Sequence, residues 1–291
     1  MKCAQDRRQQ GSMETNLCRK GVWATTAAVQ LDLPLDGEDL LGRLRASGRL
    51  RITPDVDVLA WLIESWRRTR EAEGWVRFTL HELGTDLYGF DPGGKQNRSM
   101  RASLRRLKGL TVDLMGYDAR RDEYRATVAT ADNLIDRIVS ELDDVGPDAA
   151  KIGALRGYTF EVQLPLWLRR QVEAGNVTYL HLPTLRALDA LAKRVWLYLE
   201  AERMKPAGHG TQGCWVKLGD RAYTALGMGY KHERQARAAL RRAGERIVEV
   251  DERYAEVTTR CVPGGWALSA RKVVDRERWV AHQAIRASLD T

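Results

Sequence analysis

Two arginine-rich stretches hold the residues with most to offer chemically. Arg98-Ser-Met-Arg101-Ala102-Ser-Leu104-Arg105-Arg106 recurs as Arg234-Gln-Ala-Arg237-Ala238-Ala-Leu240-Arg241-Arg242, with six of nine positions identical. Residues 94–109 carry six basic side chains and no acid, counting Lys95 and Lys108; residues 231–246 carry six basic and two acidic ones, a local +4. On a helical wheel, Met100, Leu104 and Leu107 gather on one side, as do Ala236, Leu240 and Ala243. Arg98, Arg101, Ala102, Arg105 and Arg106 fall opposite, and Arg234, Arg237, Ala238, Arg241 and Arg242 repeat that face. Such an array binds anions. A guanidinium fork can take a guanine edge in two hydrogen bonds or clamp a phosphate, and the small alanine lets the backbone approach a groove. Lys108, Lys231 and the hairpin-tip pair Arg120 and Arg121 extend the same surface.

The flanking elements are ordered alike. After Pro54, Val58, Leu59, Leu62, Ile63 and Trp66 mark one buried helix face. Trp75-Val76-Arg77-Phe78 alternates as a strand, Thr79-x-x-Glu82 is a capping box opening a helix, and Gly89 to Gly94 is a turn before the first basic helix. Thr111–Leu114 and Tyr124–Ala129 read as a hairpin with its tip at 118–122. The second pass has a strand at Tyr158–Leu164, a short helix at Leu166–Val172 and a strand at Tyr179–Leu182. Leu185, Leu188, Leu191, Val195 and Leu199 then predict one long helix. Trp215-Val216-Lys217-Leu218 repeats the strand at 75–78, followed by a short helix at 220–226, a turn and the basic helix. A hairpin at 247–250 and 254–258, a β segment at 266–268 and a final helix at 273–289 close the chain. Both halves thus run helix, strand, helix, turn, basic helix, hairpin, and the matching residues make this a duplication. That is the order of a helix-turn-helix followed by a β wing. The expected fold is α+β and helix-rich, with two tandem winged-helix domains. Residues 1–21 form a disordered lead, 22–142 the first domain, 143–154 a linker and 155–291 the second domain.

Composition narrows the class. The chain has 291 residues, 47 Lys and Arg against 39 Asp and Glu, and a formal charge of +8. Apolar content of 44% suits a globular protein. No run approaches the length of a transmembrane helix, and the charged start lacks the apolar stretch of a secretion signal. Cys3, Cys18, Cys214 and Cys261 form no C-x-x-C pair, which disfavours a zinc finger or a disulfide scaffold and fits a reducing cytoplasm.

Leu164-Pro165-x-Trp167-Leu168, Tyr179-Leu180-x-Leu182 and Arg194-Val195-Trp196-Leu197-Tyr198-Leu199, beside the two winged-helix patterns, resemble the winged-helix replication initiators of bacterial plasmids. The resemblance spans roughly residues 50–290 and lies in apolar and basic patterns. It implies binding to repeated origin sequences (iterons), both basic helices lying in successive major grooves. It also implies recruitment of the host initiator and the replicative helicase, and a homodimer off DNA that does not initiate or that represses its own promoter. Arg98, Arg101 and Arg105 would be contacts of the first domain, and Arg234, Arg237, Arg241 and Arg242 of the second.

Enzymatic readings find less support. Gly89-Phe-Asp-Pro-Gly-Gly94-Lys95-Gln96 nearly spells a P-loop, but Gln96 lacks the hydroxyl that binds magnesium and the preceding segment is helical. His81, His181, His209, His232 and His282 never fall at H-x-H or H-x-x-x-H spacing, so a metal-dependent nickase has no evident site. Tyr117 and Tyr254 lie near the wings as packing or phosphate contacts. The expectation is a non-enzymatic binder of double-stranded DNA needing no cofactor or metal, initiating plasmid replication at direct repeats. A tandem winged-helix transcriptional repressor is the alternative, and a DNA-processing enzyme a remote one.

Overall fold

In the computed structural model the described residues are 10–14, 17–18, 23–24, 50–113, 116–118, 123–125, 131–140, 159–202, 204–219, 222–223, 226, 228, 232–277 and 280. Two compact units divide the chain, Met1–Arg186 and Ala187–Thr291. The mixture of helices with small sheets is α+β, as the sequence predicts.

Unit 1 begins with three short strands, β1 (Gln10–Glu14), β2 (Trp23–Ala24) and β3 (Leu50–Arg51). Helix α1 (Asp55–Thr69) follows, then β4 (Trp75–Thr79), α2 (Leu80–Tyr88) and the basic helix α3 (Gly94–Gly109). The capping box predicted for α2 is present. The Glu82 amide donates to Thr79 Oγ1 at 3.1 Å and the Thr79 amide donates to Glu82 Oε2 at 2.7 Å. Gly89 ends α2 with a left-handed φ of 74° that a side chain would resist. The glycines at 89–94 therefore serve a turn between two helices. Next come β5 (Thr111–Asp113), β6 (Gly116–Asp118), β7 (Glu123–Arg125), β8 (Ala131–Asn133), β9 (Arg137–Ser140) and β10 (Thr159–Gln163). Helix α4 (Leu166–Glu173), β11 (Val177–His181) and α5 (Leu182–Ala187) close the unit, the last residue of α5 opening the second.

Pairing across unit 1 moves two expected boundaries. Strand β10 pairs antiparallel with β4 on one side, Phe160 opposite Phe78, and with β9 on the other. The strand expected to open the second domain therefore completes the first sheet, and the division falls after Arg186. The 143–154 linker lies outside the described residues. The hairpin expected from 111–114 and 124–129 is split into two ladders, β5 with β8 and β6 with β7, Tyr117 opposite Tyr124.

The lead is also partly ordered. Strand β1 pairs antiparallel with β11, Met13 opposite Thr178, and Met13, Leu17 and Cys18 are buried. Its presence explains why α1 is buried all round from Asp55 to Glu64 instead of on one face. Ser12 Oγ donates to the buried Glu64 carboxylate, which also accepts from Arg67 Nε at 2.8 Å and Arg68 Nε at 3.0 Å. Burial works to raise the Glu64 carboxyl, but hydrogen bonds from Arg67, Ser12 and Arg68 outweigh it and hold it below the usual range.

Unit 2 contains α6 (Ala190–Ala201), β12 (Lys205–Gly208), β13 (Thr211–Lys217), the second basic helix α7 (Glu233–Val250), β14 (Tyr254–Val262) and β15 (Gly265–Val273). The single helix expected from 185 to 199 is two, α5 and α6. Asp189 breaks the run by capping α6, its carboxylate accepting from the amides of Leu191 and Ala192 at 3.0 Å each. Residues 247–250, expected as a strand, continue α7, and Val273, expected to open a helix, ends β15. The four strands form one antiparallel sheet in the order β12-β13-β15-β14. Helix α7 lies on it so closely that a Cβ at Gly244 would overlap the Val257 carbonyl oxygen.

The junction of α7 with β14 is tied by a partly buried polar cluster. Asp251 accepts from Trp196 Nε1 at 2.8 Å and Arg253 Nε at 2.9 Å. Glu200 accepts from the Tyr254 hydroxyl at 2.9 Å and pairs with Lys272 at 2.8 Å. Burial raises the Tyr254 phenol well above its ordinary value, and the Glu200 charge adds to the effect. Tyr254 is thus a packing residue.

Candidate nucleic-acid interface

The two units share part of their connectivity. In each unit a strand precedes the basic helix and pairs with a later strand beyond it, β4 with β10 in unit 1 and β13 with β15 in unit 2; unit 1 differs in placing β5–β8 between its basic helix and β9, and unit 2 in adding β12 to the edge of its sheet. Trp75-Val76-Arg77-Phe78 and Trp215-Val216-Lys217-Leu218 occupy the same strand of this scheme.

The basic helices match position by position. Helix α3 buries Met100, Ser103, Leu104 and Leu107; α7 buries Ala236, Ala239, Leu240 and Ala243, the four equivalent sites. On the other face Arg98, Arg105 and Lys108 are exposed in α3, and Arg234, Arg241 and Arg242 in α7. Arg101 and both alanines, Ala102 and Ala238, are half-buried between them. Arg98 Nε donates to the Gly94 carbonyl oxygen at 3.3 Å, which bends that side chain back along its own helix. Wheel geometry therefore assigns most of the cationic surface correctly.

Two arginines depart from it. Arg106, expected at the exposed face, turns inward. Its Nε and Nη2 donate to the two oxygens of Asp55 at 2.9 and 2.6 Å. Asp55 is fully buried and also accepts from the Arg51 amide at 2.7 Å, whereas the Arg106 side chain keeps 24% exposure. Arg106 is thus a strut joining α3 to the start of α1, and it leaves the contact surface. An acid at the first residue of α1 is the partner that a wheel drawn for α3 alone cannot show. Arg237, placed near the centre of the reading face, is held on two sides. Its Nη1 lies 3.1 Å from Glu233, one turn back, and its guanidinium carbon sits 4.1 Å from the centroid of the Trp266 ring. Only 18% of the side chain is exposed. Sequence reasoning gave Trp266 no part in this surface; it stands at the start of β15, after the turn that follows Val262. Val262-Pro263-Gly264-Gly265 between two alternating runs was the signal for that hairpin, and Gly264 and Gly265 adopt φ of 79° and 139°.

The β14–β15 hairpin carries a further cation, on the face of the sheet turned away from α7. Arg260 is exposed and pairs with Glu256, its Nη2 donating at 2.7 Å. That bond raises the guanidinium above its usual range. Arg120, Arg121 and Lys231 lie outside the described residues. Among the described residues no helix is long and apolar enough to cross a membrane.

No family model matches the sequence, and no curated protein matches it. Among solved structures, a selenomethionine derivative of domain 2 and domain 3 of RctB is similar to the chain at 12% identity and a TM-score of 0.45. That similarity covers 79% of this chain and 86% of the other.

Proposed function

We propose that the chain is a non-enzymatic, sequence-specific binder of double-stranded DNA. In this reading each unit is a winged helix, α3 and α7 enter the major groove, and the β6–β7 and β14–β15 hairpins are the wings. One observation carries it. Two helices in one chain bury the same four positions and expose arginine at the same two, 98 with 234 and 105 with 241. Packing alone demands the first of these agreements and gives no reason for the second. Sites are direct repeats of a plasmid origin, where binding starts replication in the cytoplasm; this finer assignment rests on the resemblance carried by residues 164–168, 179–182 and 194–199. Host initiator and helicase would be partners of the DNA-bound form, and a homodimer the form off DNA.

Titration of a labelled repeat duplex at several salt concentrations tests the reading. Two helices and two wings neutralising about 6 to 10 phosphates give a slope of log K against log salt of about −5 to −9. A slope near zero refutes duplex binding. Footprinting combined with light scattering separates the origin from the promoter reading. One chain on a non-palindromic site of about 20 base pairs, with its helices one turn apart, fits tandem units. An inverted repeat carrying two chains supports a repressor instead.

A further inference from the structure

The sheet of unit 2 has a second face, opposite α7. Antiparallel pairing lays three rows across it: Lys205, Gly213, Arg271 and Glu256; Trp215, Ser269 and Thr258; Lys217, Ala267 and Arg260, of which the small Ala267 is buried. The reverse side of the same strands holds Val257, Leu268 and Ala270, all buried. Trp215 stands in the middle row at 67% exposure, more than any other large apolar side chain among the described residues. Its row neighbours are a serine and a threonine, too short to cover an indole. Around it are four cations and one acid, and the acid, Glu256, is taken by Arg260.

The duplicated strand in unit 1 shows what this position looks like when it serves only the fold. There Trp75 is half-buried and its indole N–H donates to Glu73 Oε2 at 3.2 Å. The adjacent row is neutralised by Arg77 against Glu161 at 3.5 Å. In unit 2 the same tryptophan is presented to solvent and its surroundings are cationic.

We propose that this face binds single-stranded DNA, one unpaired base stacking on Trp215 while Lys205, Lys217 and Arg271 contact the phosphates. An exposed indole accepts the π-face of any base, and that face is free only when the strand is unpaired. A second copy of the chain fits poorly. A two-fold axis through Trp215 would set Lys205, Lys217 and Arg271 against the same cations of the other copy. The choice of DNA over RNA rests on the duplex reading above; the site itself does not, because α7 lies on the other side of the sheet.

The test uses the full chain, a labelled oligothymidylate, an oligouridylate of the same length and a labelled duplex, read by anisotropy. Trp215→Ala is expected to weaken oligothymidylate binding about 10-fold, within the range found for stacking aromatics. It should leave duplex binding unchanged. Trp215→Phe should keep most of the single-strand affinity, which shows that the aromatic face and not a folding defect sets the result. Arg241→Ala should show the reverse pattern. Unaltered oligothymidylate binding by Trp215→Ala overturns the proposal, as does a preference for oligouridylate. So does a fall in sedimenting mass from dimer to monomer in Trp215→Ala with single-strand binding intact, which would make the face an interface between copies. If duplex binding fails while Trp215-dependent oligothymidylate binding holds, the proposed function falls and this site stands.

Discussion

Removing the Arg106 guanidinium separates a strut from a DNA contact, and the two roles predict opposite results. Arg106→Ala leaves Asp55, fully buried, accepting from the Arg51 amide at 2.7 Å and no longer paired with a cation from α3. It takes away two charge-assisted bonds of 2.9 and 2.6 Å. Breaking a buried pair from one side costs about 3–5 kcal/mol. The arginine side chain keeps 24% exposure, so water reaches part of this pair and the cost drops below that range, to about 2–3 kcal/mol. For a unit of this size each kcal/mol moves the midpoint by about 2–4 °C. The expected fall is therefore about 4–12 °C in the thermal transition of unit 1, followed by hydrogen exchange of α1 and α3 amides. The double variant Asp55→Ala, Arg106→Ala should recover part of the loss, because no charge is left buried alone. Duplex affinity measured well below the transition, and its salt slope, should match the parent. A melting point within about 1 °C of the parent, together with a shallower salt slope, would refute the strut and return Arg106 to the contact face.

Other perturbations have equally distinct signatures. Arg241→Ala should cost about 1–3 kcal/mol of cognate duplex affinity without changing the melt, whereas Arg237→Ala should lower both, since Glu233 and Trp266 hold its guanidinium; affinity titrations and melts on the two variants decide. Burial works to raise the Asp251 carboxyl, but hydrogen bonds from Arg253 and Trp196 prevail and lower it below the usual 3.8. Its stabilisation is therefore complete above that value and lost as pH falls through the lowered one, and Asp251→Asn should flatten this acid limb in denaturant titrations between about pH 2 and 5. Gly244→Ala would drive a methyl group into the Val257 backbone and should cost about 3 kcal/mol or more by chemical denaturation. With iodoacetamide at pH 8, exposed Cys261 should alkylate well before Cys214, whose thiol burial pushes up to about 11; peptide mass mapping reads the order.

The basic helices were legible because their apolar positions repeat at helical spacing and recur 136 residues later, with six identities in nine. Local chemistry was legible too, as at Thr79 with Glu82 and at the turn opened by Gly89. What sequence reading missed lies in pairings between distant segments. Nothing near Thr159 says that it will face Thr79, and nothing near Met13 says that it will face Thr178. The same limit applies to side chains. Arg106 and Arg237 have the periodicity of exposed residues, and only partners brought in by the fold, Asp55 from another helix and Trp266 from a strand, take them out of solvent. The split of one expected helix at Asp189 was within reach, since an aspartate before an apolar run is a capping residue.

The β1–β11 ladder bears on how the chain is made. Residue 13 leaves a ribosome well before its partner, residue 178, and β4 before β10, so unit 1 cannot close its sheets until β10 and β11 have been synthesised. Bringing such distant segments together carries a loop-closure entropy that must be met before the contacts reward it, which slows folding. Unit 2 draws its whole sheet from residues 205–273, with Trp215 needing only Ser269. A nascent chain stopped anywhere before residue 177 therefore holds β1, the strand that covers α1, without the β11 partner it pairs with, and an unpaired strand edge is what chaperones and proteases recognise. Truncation products of unit 1 should be short-lived, while an independently expressed unit 2 has all of its strand partners at hand.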